Sequence, residues 1–385
     1  MNRKIFHKVE TQRLRYLFCF TVLSFTVLSA MAFTSEIKTV ILSDGEQITA
    51  RLSLPEEQVN TIVVAVHGTG PNTYLNKRPG FNYYDVLAEG FCKQGVAFFS
   101  YNRRGVEIGD TPPMFDKIDS VKFAEYLPYT EAEDIETMVS FLKKDKRFEH
   151  CKIILYGISE GTIIASMVAD RQKVKIDALL LHGYAHENMF DIIKWQNMGE
   201  GVMKMINSIF DKNKDNAVSK EEYEFEDPTL AAYRNYLFSN LSFDSTDVVK
   251  DNVIDIKDIR QMRAPFNDAL MAKIAENDGA WIWQNYVKIS IGWLREHFAL
   301  EPNKTRLLRI NIPIHIFHGT EDANVPVESV YDLESRFKVC KKSNLTIHIF
   351  DKHNHDLNFQ DWITNKEFSD GLQAIFNTSG NYINK

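Results

Sequence analysis

From residue 36 onward the chain alternates short apolar runs with longer amphipathic ones. "EIKTVILS" and "QITARLSLP", parted by the turn residues "DGE", predict an N-terminal hairpin. "TIVVAVHG" (Thr61–Gly68) is apolar throughout, as a strand buried on both faces must be. The pattern from Tyr83 to Gly95 is helical, "VAFFSYNRRG" predicts the next strand, and Tyr129–Phe148 a long helix whose start is marked by the capping-box spacing of Thr130 and Glu133. "KIILYGIS" (strand), "EGTIIASMVAD" (helix) and "IDALLLHGYA" (strand) follow. The alternation then stops and resumes with the strand "IPIHIFHGTED", the helix "PVESVYDLESRFKVC", the strand "LTIHIFD" and a final helix near "FSDGLQAIF". Such alternation predicts an α/β fold, a mostly parallel sheet flanked by helices. The interruption, residues 187–305, is rich in Met, Trp, Asn and Asp and reads as a helical insertion at the C-terminal edge of the sheet.

The remaining composition narrows the partners. The chain has 385 residues, 44% of them hydrophobic, enough for a large core with an insertion. A net charge of −7 argues against a nucleic-acid partner. At the N-terminus, Arg3, Lys4, Lys8, Arg13 and Arg15 precede the apolar stretch Tyr16–Ser29, and "AMA" (Ala30–Ala32) fits a small-x-small cleavage site. Residues 1–32 therefore read as a signal peptide, and the mature protein as periplasmic or secreted; the alternative is an uncleaved N-terminal anchor. No later stretch is long and apolar enough for a stable membrane span. Cys92, Cys151 and Cys340 remain after cleavage, and three thiols cannot all pair within one chain.

Four stretches carry candidate chemistry for a serine nucleophile. "GISEG" (Gly157–Gly161) follows an apolar strand and opens a helix, the context in which a serine between glycines is more than a turn. There Ser159 would stand on a sharp, strained turn with its hydroxyl exposed. A serine nucleophile needs a base and oxyanion donors. "HGTG" (His67–Gly70) ends a strand, and the amides of Thr69 and Glu160 are the candidate donors; His67 itself reads as a structural hydrogen-bonder. The acid should follow at the end of a later strand. Asp322 is preferred over Glu321, because the following Asn-Val-Pro leads it into a loop facing the site. The base should come last: "FDKHNHDLN" offers His353 and His355, and His355, further past the strand, is preferred.

In this order and spacing, "HGTG", "YNRRG" (Tyr101–Gly105), "GISEG", "HGTEDANVP" and "HNHDLN" make the chain resemble the α/β-hydrolase family over residues 36–186 and 306–385. The likeness is to the secreted esterase, dienelactone-hydrolase-like or prolyl-peptidase-like branch. It implies a catalytic domain of residues 33–186 and 306–385, with the 187–305 insertion as a lid. Thr162 departs from the third glycine common in the family.

The insertion contains "DKNKDNAVSKEE" (Asp211–Glu222), with the spacing of an EF-hand calcium loop. Asp211, Asn213, Asp215, the carbonyl of Ala217, Ser219 and Glu222 are the candidate ligands of a structural Ca2+. Asn216 stands where Gly is usual and tolerates the left-handed conformation. A second stretch aligns with Ile254 opposite Val218 and offers Asp247, Asp251, Asp255 and Asp258. Val249 at its third position cannot coordinate, so it reads as a degenerate sister loop. Together these features predict an exported serine hydrolase using Ser159, His355 and Asp322 on a small-molecule carboxylic ester or related acyl substrate, with no cofactor for the chemistry. A serine peptidase or acyltransferase of the same fold, or a non-catalytic calcium-dependent binding protein, are the alternatives.

Overall fold

The computed structural model of the chain describes residues 33–383. The signal-peptide reading of 1–32 lies outside these residues. Eight strands form one sheet: β1 (Thr34–Ile41), β2 (Gln47–Leu54), β3 (Thr61–Val66), β4 (Ala97–Tyr101), β5 (Lys152–Ile158), β6 (Ala178–His182), β7 (Ile314–Gly319) and β8 (Leu345–Phe350), in the order β1-β2-β4-β3-β5-β6-β7-β8. β1 and β2 are the predicted hairpin, and β2 runs antiparallel to β4. All other neighbours are parallel, so the carboxyl ends of β3, β5, β6, β7 and β8 open on one edge.

β3 shows why these strands are apolar throughout. Ile62, Val64 and Val66 enter one core with α2 (Pro128–Lys144), α3 (Gly161–Arg171) and α10 (Glu328–Val339). Val63 and Ala65 enter the other, with α1 (Tyr83–Cys92) and the C-terminal helix α11 (Asp370–Gly380). A side chain every second position on each face needs an apolar residue at every position.

α2 corrects the sequence reading. It begins two residues before Thr130, with Pro128 in its first turn and Leu127 as the capping residue, and no side chain caps it. Proline supplies the fixed φ and lacks the N–H that would be unpaired there, so the Thr130–Glu133 spacing is left inside the helix.

The β6–β7 connection carries α4 (Met189–Asn197), α5 (Glu200–Phe210), α6 (Pro228–Phe238), α7 (Ile256–Glu276), α8 (Gly279–Asn285) and α9 (Ile291–Ala299). It divides in two. Leu270, Ile282, Ile289, Trp293 and Leu294 pack into the main core. Phe210, Val218, Tyr223, Phe238, Phe243 and Ile254 build a separate small core around the acidic loops. Cys92, Cys151 and Cys340 are unpaired. No helix among the described residues is long and apolar enough to cross a membrane.

Candidate active site

β5 ends at Ile158 and α3 begins at Gly161, so Ser159 and Glu160 make the whole turn. Ser159 has φ 55°, a left-handed conformation that a residue with a Cβ adopts only under strain. Crowding explains the flanking glycines. A Cβ on Gly161 would collide with the carbonyl oxygens of Val66 and His67, and one on Gly157 with that of Gly161. The Ser159 amide donates to His182 O at 2.9 Å and fixes the turn to β6. Thr162 uses its hydroxyl here: Oγ1 donates to Ser159 O at 2.7 Å and accepts from the Ala185 amide at 3.0 Å.

Asp322 follows β7 and is fully buried. Its Oδ2 lies 2.8 Å from Nδ1 of His355, which follows β8 and is 14% exposed. Its Oδ1 accepts from the amides of Asn324 and Val325 at 2.7 and 2.9 Å. Burial works against both charges, but their mutual attraction outweighs it, holding Asp322 down at about 2 and His355 above its usual 6.5. Glu321 is exposed beside it. His182 supports the imidazole from behind: Nε2 donates to His355 O at 3.0 Å while Nδ1 accepts from Tyr156 OH. Burial pushes His182 down to about 3, so it stays neutral. His353 turns elsewhere, its Nδ1 donating to Asp351 O. His67 is structural, buried between Tyr84 OH and the carbonyl of Tyr101, and burial keeps it neutral.

The "HGTG" loop is held by Arg103, whose part in the site no local pattern reveals. Arg103 donates through Nη1 to the carbonyls of Gly68 and Gly70, both at 2.6 Å, and through Nη2 to that of His67. Its Nε and Nη2 also grip Glu131 at 3.0 Å. Among the described residues, nothing accepts a hydrogen bond from the amides of Thr69 or Glu160. The doubled arginine of "YNRRG" was visible, but which carbonyls it reaches depends on how β3 and β4 are paired.

The Glu160 side chain is likewise unforeseen. It is buried beneath the turn, where its carboxylate accepts from Tyr126 OH, Trp293 Nε1 (2.9 Å) and His297 Nε2 (2.8 Å), with Arg103 at 4.0 Å. Against the burial that would raise it, these partners, His297 foremost, hold Glu160 ionised. Trp293 and His297 belong to α9, so the insertion is tied directly to the residue after Ser159.

Two cavities meet at Ser159. One of about 600 Å³ is bounded by His355, Arg78, Phe81, Tyr83 and Phe359. The other, about 310 Å³, lies under the insertion against Met189, Ile192, Tyr286 and Trp293. Thr69, Ser159 and Asn324 belong to both.

The two acidic loops are paired as a unit. Val218 and Ser219 form a short antiparallel ladder with Ile254 and Val253. Glu222 reaches back across its loop to accept from the amides of Lys212 and Asn213, and Asp258 does the same toward Val249. Asp211 accepts from the amides of Lys214, Asp215 and Asn216, and Asp247 from those of Lys250, Asp251 and Asn252. Asn216 and Asn252 have φ 67° and 69°, so asparagine fills the place usual for glycine in each loop. Asp247, Asp251 and Asp258 bring carboxylate oxygens within 4.8 Å of one another. The loop read as degenerate thus gathers its acids more closely than Val249 suggested, since the short Asp258 side chain is drawn inward.

The sheet order, the turn at Ser159 and the loops at the carboxyl ends of its strands define an α/β hydrolase. Residues 57–361 match the family described as serine aminopeptidase, S33, and the chain belongs to that family of hydrolases. Among solved structures, a thermostable carboxyl esterase from Bacillus coagulans is similar at TM-score 0.52 and 15% identity, over 91% of this chain and 99% of that one. An esterase from Pyrococcus furiosus is similar at TM-score 0.47 and 13% identity, over 92% of each chain. One from Exiguobacterium antarcticum is similar at TM-score 0.46 and 14% identity, over 90% of this chain and 99% of that one. No curated protein matches the chain in sequence.

Proposed function

We propose that the protein is an exported serine hydrolase that cleaves carboxylic esters, with Ser159 as nucleophile, His355 as base and Asp322 as its orienting acid. The observation that carries this reading is the 2.8 Å contact of His355 Nδ1 with Asp322, on a histidine sharing a cavity with a serine held at φ 55°. With Nδ1 committed to Asp322, Nε2 is the nitrogen left to take a proton. Ser159 Oγ attacks the ester carbonyl as its proton passes to His355 Nε2. The amides of Thr69 and Glu160 stabilise the resulting oxyanion. The imidazolium then protonates the departing alcohol as the C–O bond breaks, and water, deprotonated by His355, releases the acid. A fluorophosphonate probe tests the assignment. It should label the wild type at Ser159, and absence of labelling on folded protein overturns it. The family description supports a peptidase as the second reading. Amide substrates assayed beside an acyl-length ester series separate the two, with esters expected to be the better substrates.

The pH dependence follows from the Asp322–His355 pair. The base must be neutral to act, and Asp322 raises its pKa, so kcat/KM should rise with pH through a midpoint above 6.5. Asp322→Asn removes the charge that raises it. That variant should lower the plateau by about 10⁴-fold and move the acid limb to lower pH. A pH–rate profile of both proteins checks this, and an unmoved limb would assign the titration to another group.

Calcium in the Asp211–Glu222 loop completes the proposal. The donor set suits a hard cation: side-chain oxygens of Asp211, Asn213, Asp215, Ser219 and Glu222, the carbonyl of Ala217, and a loop backbone already curled around Asp211. Bound there, calcium would hold the small core of the insertion together rather than enter the chemistry. A ligand that binds only the folded state stabilises it by about 2.7 kcal/mol at a hundredfold excess over Kd. Millimolar calcium should therefore raise the melting temperature relative to chelator, and Glu222→Gln should blunt the gain. Identical melts, with no ion in native mass spectra, would remove calcium from the account.

A further inference from the structure

We propose that Arg78 is a binding residue for a carboxylate carried on an aromatic part of the substrate, which occupies the larger of the two cavities at Ser159. The inference rests on Ser159 being the nucleophile. Arg78 lies in a two-residue ladder, Lys77–Arg78 against Phe81–Asn82, that walls this cavity. It is half-buried, and its guanidinium donates through Nη1 to Lys77 O at 2.8 Å. Among the described residues it forms no hydrogen bond or ion pair with a carboxylate. Asp116 attracts it electrostatically without pairing, and Asp356, exposed at the same cavity, does not pair with it either.

A guanidinium is costly to desolvate without an anion to meet it. Arg103 and Arg104, close by in sequence, show the usual arrangement, each gripping a buried carboxylate through two nitrogens. Burial alone pulls the Arg78 pKa down, whereas carboxylates raise those of Arg103 and Arg104. Arg78 thus offers an open fork of donors suited to two carboxylate oxygens. The walls around it specify the rest of the ligand. The Phe359 ring packs against both Phe81 and Tyr83, at 5.8 and 4.7 Å between centroids. Such walls favour a planar ring. The smaller cavity is mainly aliphatic and aromatic and offers no cation to an anion. The substrate class that fits is an ester with one half an aromatic carboxylate, lodged by Arg78, and the other half compact and apolar, lodged under the insertion.

Two substrate pairs test this, because the carboxylate can belong to either half of the ester. 4-Acetoxybenzoate against 4-acetoxybenzamide places it on the leaving group. Monomethyl terephthalate against methyl 4-carbamoylbenzoate places it on the acyl group. The quantity read is the ratio of kcat/KM for carboxylate over carboxamide within each protein, so that a general loss of activity cancels. The wild type should favour the carboxylate by about ten-fold or more in one pair, the strength expected of a hydrogen bond between charged groups. Arg78→Gln should bring that ratio to about one, and Arg78→Lys should keep part of it. A wild-type ratio near one in both pairs, or a preference surviving in Arg78→Gln, overturns the proposal. Should no ester be hydrolysed and Ser159 resist the fluorophosphonate, the hydrolase reading fails separately. Calorimetry on Ser159→Ala then decides the Arg78 site: 4-hydroxybenzoate must bind more tightly than 4-hydroxybenzamide and lose that advantage when Arg78→Gln is added, and equal affinities overturn it.

Discussion

Ser159→Ala is expected to lower kcat by about 10⁶-fold, the scale on which removal of a triad nucleophile acts, while its melting curve stays close to that of the wild type. The side chain lost is small, and the turn is held by backbone contacts: the Ser159 amide to His182 and the Thr162 hydroxyl to Ser159 O. His355→Ala should cost nearly as much, because base and nucleophile act as a unit and their losses do not add. His353→Ala should stay within about ten-fold of the wild type, since its ring is engaged with Asp351 O and takes no part in either cavity. Steady-state kinetics on the three variants decides the assignment. An active His355→Ala beside a silent His353→Ala would exchange the two histidines, and an active Ser159→Ala would end the nucleophile reading.

Glu160→Ala is expected to be the most destabilising single change near the site, by about 3–5 kcal/mol, the cost of removing one partner from a buried ionic pair. Its carboxylate is the shared acceptor for Tyr126, Trp293 and His297 and lies near Arg103. Without it these donors are left dry and unmatched. The second buried carboxylate, Glu131, is already committed to Arg103 and Tyr101, and burial pushes its pKa up. It has little capacity to take over. The melting temperature should fall by ~10 °C, and α9 should lose hydrogen-exchange protection with it, because Trp293 and His297 are its anchors to the sheet. A variant that melts within a degree or two of the wild type would show that the cluster contributes no net stability.

The fold was legible because β3, β5 and β6 are buried on both faces, and double burial leaves a continuous apolar run that only a covered parallel strand requires. Ser159, Asp322 and His355 were legible for a related reason. Each follows a recognisable strand, and parallel strands deliver the residues after them to one edge. The pairing of Val218 with Ile254 could be read from loop spacing alone, since the curl of such a loop is local. Other features resisted. The start of α2 was misplaced because a capping spacing and a first-turn proline compete within four residues, and only the path of the preceding chain decides between them. The insertion read as one helical lid, but it contributes to two cores, and its helices show no pattern that tells which apolar face meets which partner.

The sequence by itself therefore determined the local and periodic features: the strands, the turn that carries Ser159, the order of the candidate acid and base, and the curl of the calcium-type loop. Their causes lie within a few residues of chain. Tertiary structure alone decided which groups surround them. Arg103 reaches three carbonyls of the "HGTG" loop from 33 to 36 residues away, Glu160 meets Trp293 and His297 from 133 and 137 residues away, and Arg78 is left without a carboxylate. A buried charge must find its partner wherever packing brings one, and that choice depends on the whole sheet and insertion assembling, which no local pattern encodes.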